Sequence, residues 1–115
     1  MIIETKTTRY LESVLDVPVY MGEEPADKPP EYVVLQTLDG GRVNMIDAVT
    51  FNIISYSTSL EKAAELNKRV KDAMYGIVAL DNVSSSKCGG GGQAIDTKTK
   101  RRAYECVFNL FYMED

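Results

Sequence analysis

The sequence predicts an α+β fold: a single domain with one mostly antiparallel or mixed β-sheet, a long amphipathic helix packed on one face, and a short N-terminal helix. Three observations carry this. Leu60, Ala63, Leu66, Val70, Ala73 and Ile77 recur at three- and four-residue steps, while Glu61, Lys62, Glu65, Lys68, Arg69 and Asp72 fill the positions between. Lys100 to Tyr112 alternates instead with a period of two, setting Tyr104, Cys106, Phe108, Leu110 and Tyr112 on one side and Ala103, Glu105, Val107, Asn109 and Phe111 on the other. The segments follow in the order helix, three strands, long helix, two strands, without an internal repeat. At 115 residues the chain hides roughly 60 to 70% of its unfolded surface, enough for one core.

Glu4 to Leu15 reads as the short helix, with Thr7, Tyr10, Leu11 and Val14 on one side and Lys6, Arg9 and Glu12 on another. Asp16-Val17-Pro18 ends it, because a proline drives the preceding residue toward extended geometry. Val19-Tyr20-Met21 is a short first strand. Gly22 to Pro30, rich in turn formers and charge, is an exposed loop. Tyr32 to Thr37, compact and β-branched, is the second strand, and Asp39-Gly40-Gly41 is a hairpin turn signal. Arg42 to Met45 lead into a third strand, Ala48 to Tyr56, whose Val49, Phe51 and Ile53 should meet the long helix.

That helix begins after Ser57-Thr58-Ser59. Thr58 followed by Glu61 fits a capping box, in which hydroxyl and carboxylate satisfy N–H groups of the first turn. Glu65 and Arg69 have the spacing of an ion pair of a few tenths of a kcal/mol, and Gly76 can release the chain from the helix. Ile77 to Leu80 either extends it by a turn or starts a connection. Val83 to Gln93, with three serines and four consecutive glycines, buries little and reads as a mobile segment or an irregular edge. Ala94 to Asp96 has the makings of a short strand and Thr97 to Thr99 of a turn. Apolar residues on both faces of the last strand suggest a central strand, or an outer face covered by another subunit.

Composition narrows the functional classes. With 44% hydrophobic and 26% charged residues the chain is globular in type. Its net charge of −4 argues against wrapping nucleic acid, which requires clustered Lys and Arg. No stretch approaches the ~20 apolar residues that cross a bilayer, and the N-terminus lacks the apolar segment of a signal peptide, so a cytoplasmic setting is expected. Cys88 and Cys106 have neither CxxC spacing nor a histidine to work with, and are expected to be reduced thiols.

The residues that invite chemistry mostly lack its partners. Gly89 to Gly92 is followed by Gln93-Ala94 rather than the Lys-Ser/Thr of a phosphate loop. Glu23 and Glu24 sit in an exposed loop without the crowding that tunes a carboxylate. No serine or cysteine has a histidine as base, because the chain contains none. Neither a cofactor nor a metal is expected. Lys98, Lys100, Arg101 and Arg102 form a local basic cluster, a solvated or intersubunit charge group or, in a less favoured reading, the site of a small nucleic-acid- or ligand-binding module.

Taken together, Pro18-Val-Tyr-Met-Gly-Glu-Glu-Pro25, Pro30-Glu-Tyr-Val-Val34, Ser55-Tyr-Ser-Thr-Ser59 running into Ala63-Ala-Glu-Leu-Asn67, Val70-Lys-Asp-Ala-Met74, and Asp96-Thr-Lys98 before Arg102-Ala-Tyr-Glu-Cys-Val-Phe108 resemble the tail terminators among the small tail-completion proteins of long-tailed phages and prophages. The likeness runs from about Val17 to Tyr112. The segment Ser84 to Gly92 is more glycine-rich than the pattern. The resemblance implies a virion structural protein without an active site, made in the host bacterial cytoplasm and located in the tail and neck. It implies a homo-oligomeric ring of six subunits on the head-proximal end of the tail tube, contacting the tail tube protein and the head-tail connector or stopper protein. A head-closure or connector adaptor of the same neck region is the alternative.

A ring needs two different complementary patches on each subunit. The candidate interface residues are Glu23 and Glu24 of the first loop, the tyrosines Tyr32 and Tyr56, Arg42 after the glycine pair, and the cluster Lys100, Arg101 and Arg102. An acidic ring would let DNA pass through its lumen without stable binding.

Overall fold

The structure, a computed structural model, describes residues 2–43, 45–95 and 102–113. Helix α1 (Ile3–Leu15) precedes strands β1 (Val19–Met21), β2 (Tyr32–Val43) and β3 (Ile46–Tyr56). Helix α2 (Leu60–Gly76) passes into a 3-10 turn (Ile77–Ala79), and strands β4 (Val83–Ile95) and β5 (Arg102–Tyr112) complete the chain. The strands form one sheet in the order β1-β2-β3-β5-β4, parallel only between β1 and β2. The fold is thus α+β with a mixed sheet, and β5 is a central strand.

Both helices lie on one face. Val33, Leu35, Val49, Phe51, Ile53, Cys106, Phe108 and Leu110 point toward it and pack with Leu11 and Leu15 of α1 and Leu66, Val70, Ala73 and Met74 of α2. Burying each of the larger side chains stabilises the fold by roughly 1.5–3 kcal/mol. The helices are tied to one another through main-chain carbonyls: the Tyr10 hydroxyl donates to that of Ala73 at 2.7 Å, and the Arg69 guanidinium to that of Leu15 at 2.5 Å. Arg69 therefore serves the end of α1 and does not form the expected pair with Glu65.

The periodic pattern of α1 is off by part of a turn, since its buried residues are Ile3, Thr7, Thr8, Leu11 and Leu15, whereas Val14 is 51% exposed. Asp16, in the left-handed conformation at φ 58°, ends the helix before Pro18. The N-cap of α2 is Ser59, whose hydroxyl accepts from the Lys62 N–H at 3.2 Å, rather than Thr58, which is exposed. Two adjacent hydroxyl residues offer equivalent caps, and the docking of the apolar stripe decides between them.

One larger expectation is corrected. Asp39-Gly40-Gly41 is not the hairpin turn. Those residues continue β2 opposite Thr50, Val49 and Ala48 after a bulge at Leu38, and the chain reverses between Val43 and Ile46 with Met45 at φ 70°. Continued cross-strand pairing outweighs the local turn preference, and β3 accordingly starts two residues early, at Ile46. The serine- and glycine-rich segment is the outermost strand, β4, bulged near Ser84 and Gly89. The edge alternative is the one observed, and the expected short strand at Ala94–Ile95 is its end. A Cβ on Gly91 would stand 2.3 Å from the Glu105 carbonyl oxygen and 2.7 Å from the Cys106 Cα, so only glycine lets β4 reach β5 there.

Candidate interface

Because β1 and β2 are parallel, residues 22–31 must carry the chain back from the end of one to the start of the other. They do so on the face opposite the helices. The Tyr32 hydroxyl, on that face, donates to Glu24 Oε1 at 3.0 Å, and the Ser57 hydroxyl donates to Glu31 Oε2 at 3.1 Å. Lys28 stands 3.8 Å from Glu24, and the Gly22 N–H donates to the Leu35 carbonyl at 2.8 Å. The connection is exposed along much of its length but pinned at both ends.

Under it lies a second, smaller core of Tyr32, Val34, Tyr56 and Ala103, flanked by Tyr20, Ile54 and Ala94. Tyr32 stacks on Tyr56 and meets Tyr20 edge to face at 6.0 Å. Of the candidate contact residues, Glu24, Tyr32 and Tyr56 are thus brought together, with the exposed Glu23 beside them. Both tyrosines are nonetheless buried within the chain, at 0% and 6% exposure. Their part is to hold the connection in place, and a neighbour would meet its outer side.

Arg42 lies apart, toward the β2–β3 turn, where its Nε–H donates to Asp47 Oδ1 at 3.0 Å. The Arg42 side chain is exposed and that of Asp47 largely covered, and a pair at the surface contributes ~0–1 kcal/mol. Arg102 opens β5 opposite Ile95. Lys100 and Arg101, with Lys98, lie outside the described residues, as does the turn expected at Thr97 to Thr99.

Between the tyrosine core and the β2–β3 turn the helix-free face is polar. The Thr50 hydroxyl donates to Asn109 Oδ1 at 2.7 Å and the Asn52 amide to Glu105 Oε2 at 3.1 Å. A shallow groove of about 200 Å³ is lined by Asp39, Gly40, Gly41, Ala48, Val49 and Thr50. Toward the turn the surface becomes apolar: Leu38 (57% exposed), Met45 (81%), Ile46, Phe111 (42%) and Met113 stand open to solvent. Register brings Ile46, Phe111 and Met113 to this end, since Ala48 pairs with Phe111 and Asp47 with Tyr112, while Leu38 lies farther along β2 in the bulge beside Thr37. Sequence reasoning missed this end because a turn was placed at Asp39 to Gly41. The available signal was Leu38 and Met45, large apolar residues with no place on the buried side of the alternation.

The thiols are free and differ in setting. Cys106 is buried, and burial first, then Cys88 and Glu105, pushes its thiol up to about 12 against the opposing effect of Lys71. Cys88 is half-buried, with its sulfur 3.6 Å from the Gly90 carbonyl oxygen. Among the described residues no three His, Cys, Asp or Glu side chains gather to hold a metal ion, and no helix is long and apolar enough to cross a membrane. In comparisons with protein-family models and with curated proteins, no family and no curated sequence matches the chain.

Proposed function

We propose that the chain is a non-enzymatic virion subunit of the tail-terminator kind, which assembles as a ring of six on the head-proximal end of a phage or prophage tail tube. There it ends tube polymerisation and presents a surface to the head connector. The observation that carries this reading is the apolar end of the sheet. Met45, Ile46, Phe111 and Met113 stand exposed at the β2–β3 turn of an elongated body measuring 42 × 24 × 24 Å, with Leu38 exposed farther along β2. Gathered exposed apolar side chains mark a surface that another protein covers. The likeness of the ordered segments between Val17 and Tyr112 to tail terminators names the setting. Partners in this reading are further copies of the chain, the tail tube protein and the connector.

Gold labelling of an epitope-tagged chain on purified tails tests it by electron microscopy. Label confined to the head-proximal end of the tube is the expected result. Label along the tube, at the distal tip or absent from virions would overturn the proposal.

A further inference from the structure

We propose that the subunits of this ring join edge to edge, the outer margin of β4 in one copy pairing antiparallel with the distal half of β2 in the next. This rests on the ring proposed above and specifies how it closes. The sheet ends at β4 on one side, and no described strand lies beyond it. On the other side β1 pairs only with Val33 to Leu35, so from Gln36 onward the outer margin of β2 has no partner strand among the described residues. One chain therefore carries two different open margins on opposite sides of one sheet. That is the pair of surfaces a head-to-tail ring requires.

Direction and height also agree. Successive strands in the order β2, β3, β5, β4 are antiparallel, so β4 runs opposite to β2. Rotation about a ring axis preserves strand direction along that axis, and β4 of one copy meets β2 of the next antiparallel without inversion. The N–H of Val33 donates to Pro18 and that of Gly22 to the Leu35 carbonyl, which fixes the residues of β2 that face outward. Alternation carried across the sheet then gives Thr37 and Gly40 as outward on β2 and Ser86 and Cys88 as outward on β4. The Gly40 N–H turns to the Asp39 carboxylate and to no strand.

Through Leu110 and Val49, Ser86 lies at the height of Gly40; through Phe108 and Phe51, Cys88 lies at the height of Thr37. Beyond Cys88 the slot beside β2 is taken by the neighbour's own β1, which pairs with Val33 to Leu35, so the pairing is confined to the first half of β4 and the strand would turn away at its bulge near Gly89. Finally, β4 is poorly guarded: between Val83 and Ile95 it has one charged residue, Lys87, and no proline. Apart from its two bulges, it lacks the devices that keep edge strands from pairing with other chains.

Proline at Gly40 or at Ser86 removes an outward N–H and blocks one margin while the inner ladders remain. Each variant alone, Gly40→Pro or Ser86→Pro, is expected to be monomeric by native mass spectrometry under conditions in which the wild-type chain assembles. Mixed, they retain one intact pair of margins and should stop at a 1:1 heterodimer. Amide exchange on the wild-type chain reads the same margins without substitution, with Thr37, Gly40, Ser86 and Cys88 exchanging more slowly on assembly. Variants that assemble like wild type, a mixture that stays monomeric although both variants fold, unprotected margins in the assembled wild type, or a wild-type chain monomeric up to millimolar concentration would each overturn the proposal. Head-to-tail oligomers that never engage tail tubes would keep the edge pairing and remove the tail reading. Rings on tail tubes whose margins exchange freely would do the reverse.

Discussion

Tyr32 and Tyr56 stack with ring centroids 4.7 Å apart and planes 12° apart, on the face of the sheet that neither helix covers. The pair anchors the crossover connection, because the Tyr32 hydroxyl reaches Glu24 within it. Tyr32→Phe keeps the stack and removes that bond; the expected cost is about 1–2 kcal/mol. Tyr32→Ala removes the ring as well and should cost about 4 kcal/mol. Urea denaturation followed by circular dichroism measures both. Equal stability of wild type and Tyr32→Phe would show that the connection is held by other contacts.

Gly91 and Gly41 make opposite predictions for the same substitution. Gly91→Ala sets a Cβ against the Glu105 carbonyl at a backbone φ of 147°, and should cost several kcal/mol or detach β4. Gly41→Ala meets nothing within 4 Å and should change stability by less than about 1 kcal/mol. Thermal melts of the two variants, with amide exchange of β4 residues, distinguish an edge strand fixed by close approach from one loosely laid on the sheet.

The two thiols should separate in reactivity. A maleimide at mildly alkaline pH is expected to modify Cys88 first and to leave Cys106, whose thiolate is disfavoured, intact until the chain unfolds. The same burial sets a pH dependence. The unfolded thiol ionises near 9.0 and the folded one near 12, so this contribution to stability is complete below about pH 9 and is lost as pH rises toward about 12. The slope in that window is about 1.4 kcal/mol per pH unit. Cys106→Val should flatten it; an unchanged alkaline slope would assign it to other groups, Tyr10 among them, whose hydroxyl is also raised by partial burial.

Much of this architecture was legible from periodicity. The stripe from Leu60 to Ile77, the alternation from Tyr104 to Tyr112 and the proline stop at Pro18 each locate an element to within a residue or two, because each reflects burial repeated along a regular backbone. What was not legible depends on partners distant in sequence. Asp39-Gly40-Gly41 carries a strong local turn preference, yet pairing with Ala48 to Thr50 keeps it extended. Gly89 to Gly92 has no side chains to signal a strand, and its place is set by the backbone of Glu105 and Cys106 across from it. The burial of Tyr32 and Tyr56 was hidden because it follows from the connection folding over them, which a pattern of prolines and acids does not report.

The central claim, that this chain ends the growth of a tail tube, is tested most directly by the length distribution of tails assembled with and without it, measured by negative-stain electron microscopy. With the chain present, tubes of uniform length joined to heads are expected; without it, tubes of uncontrolled length that never join heads. Tails of normal length on mature particles in its absence would contradict the account.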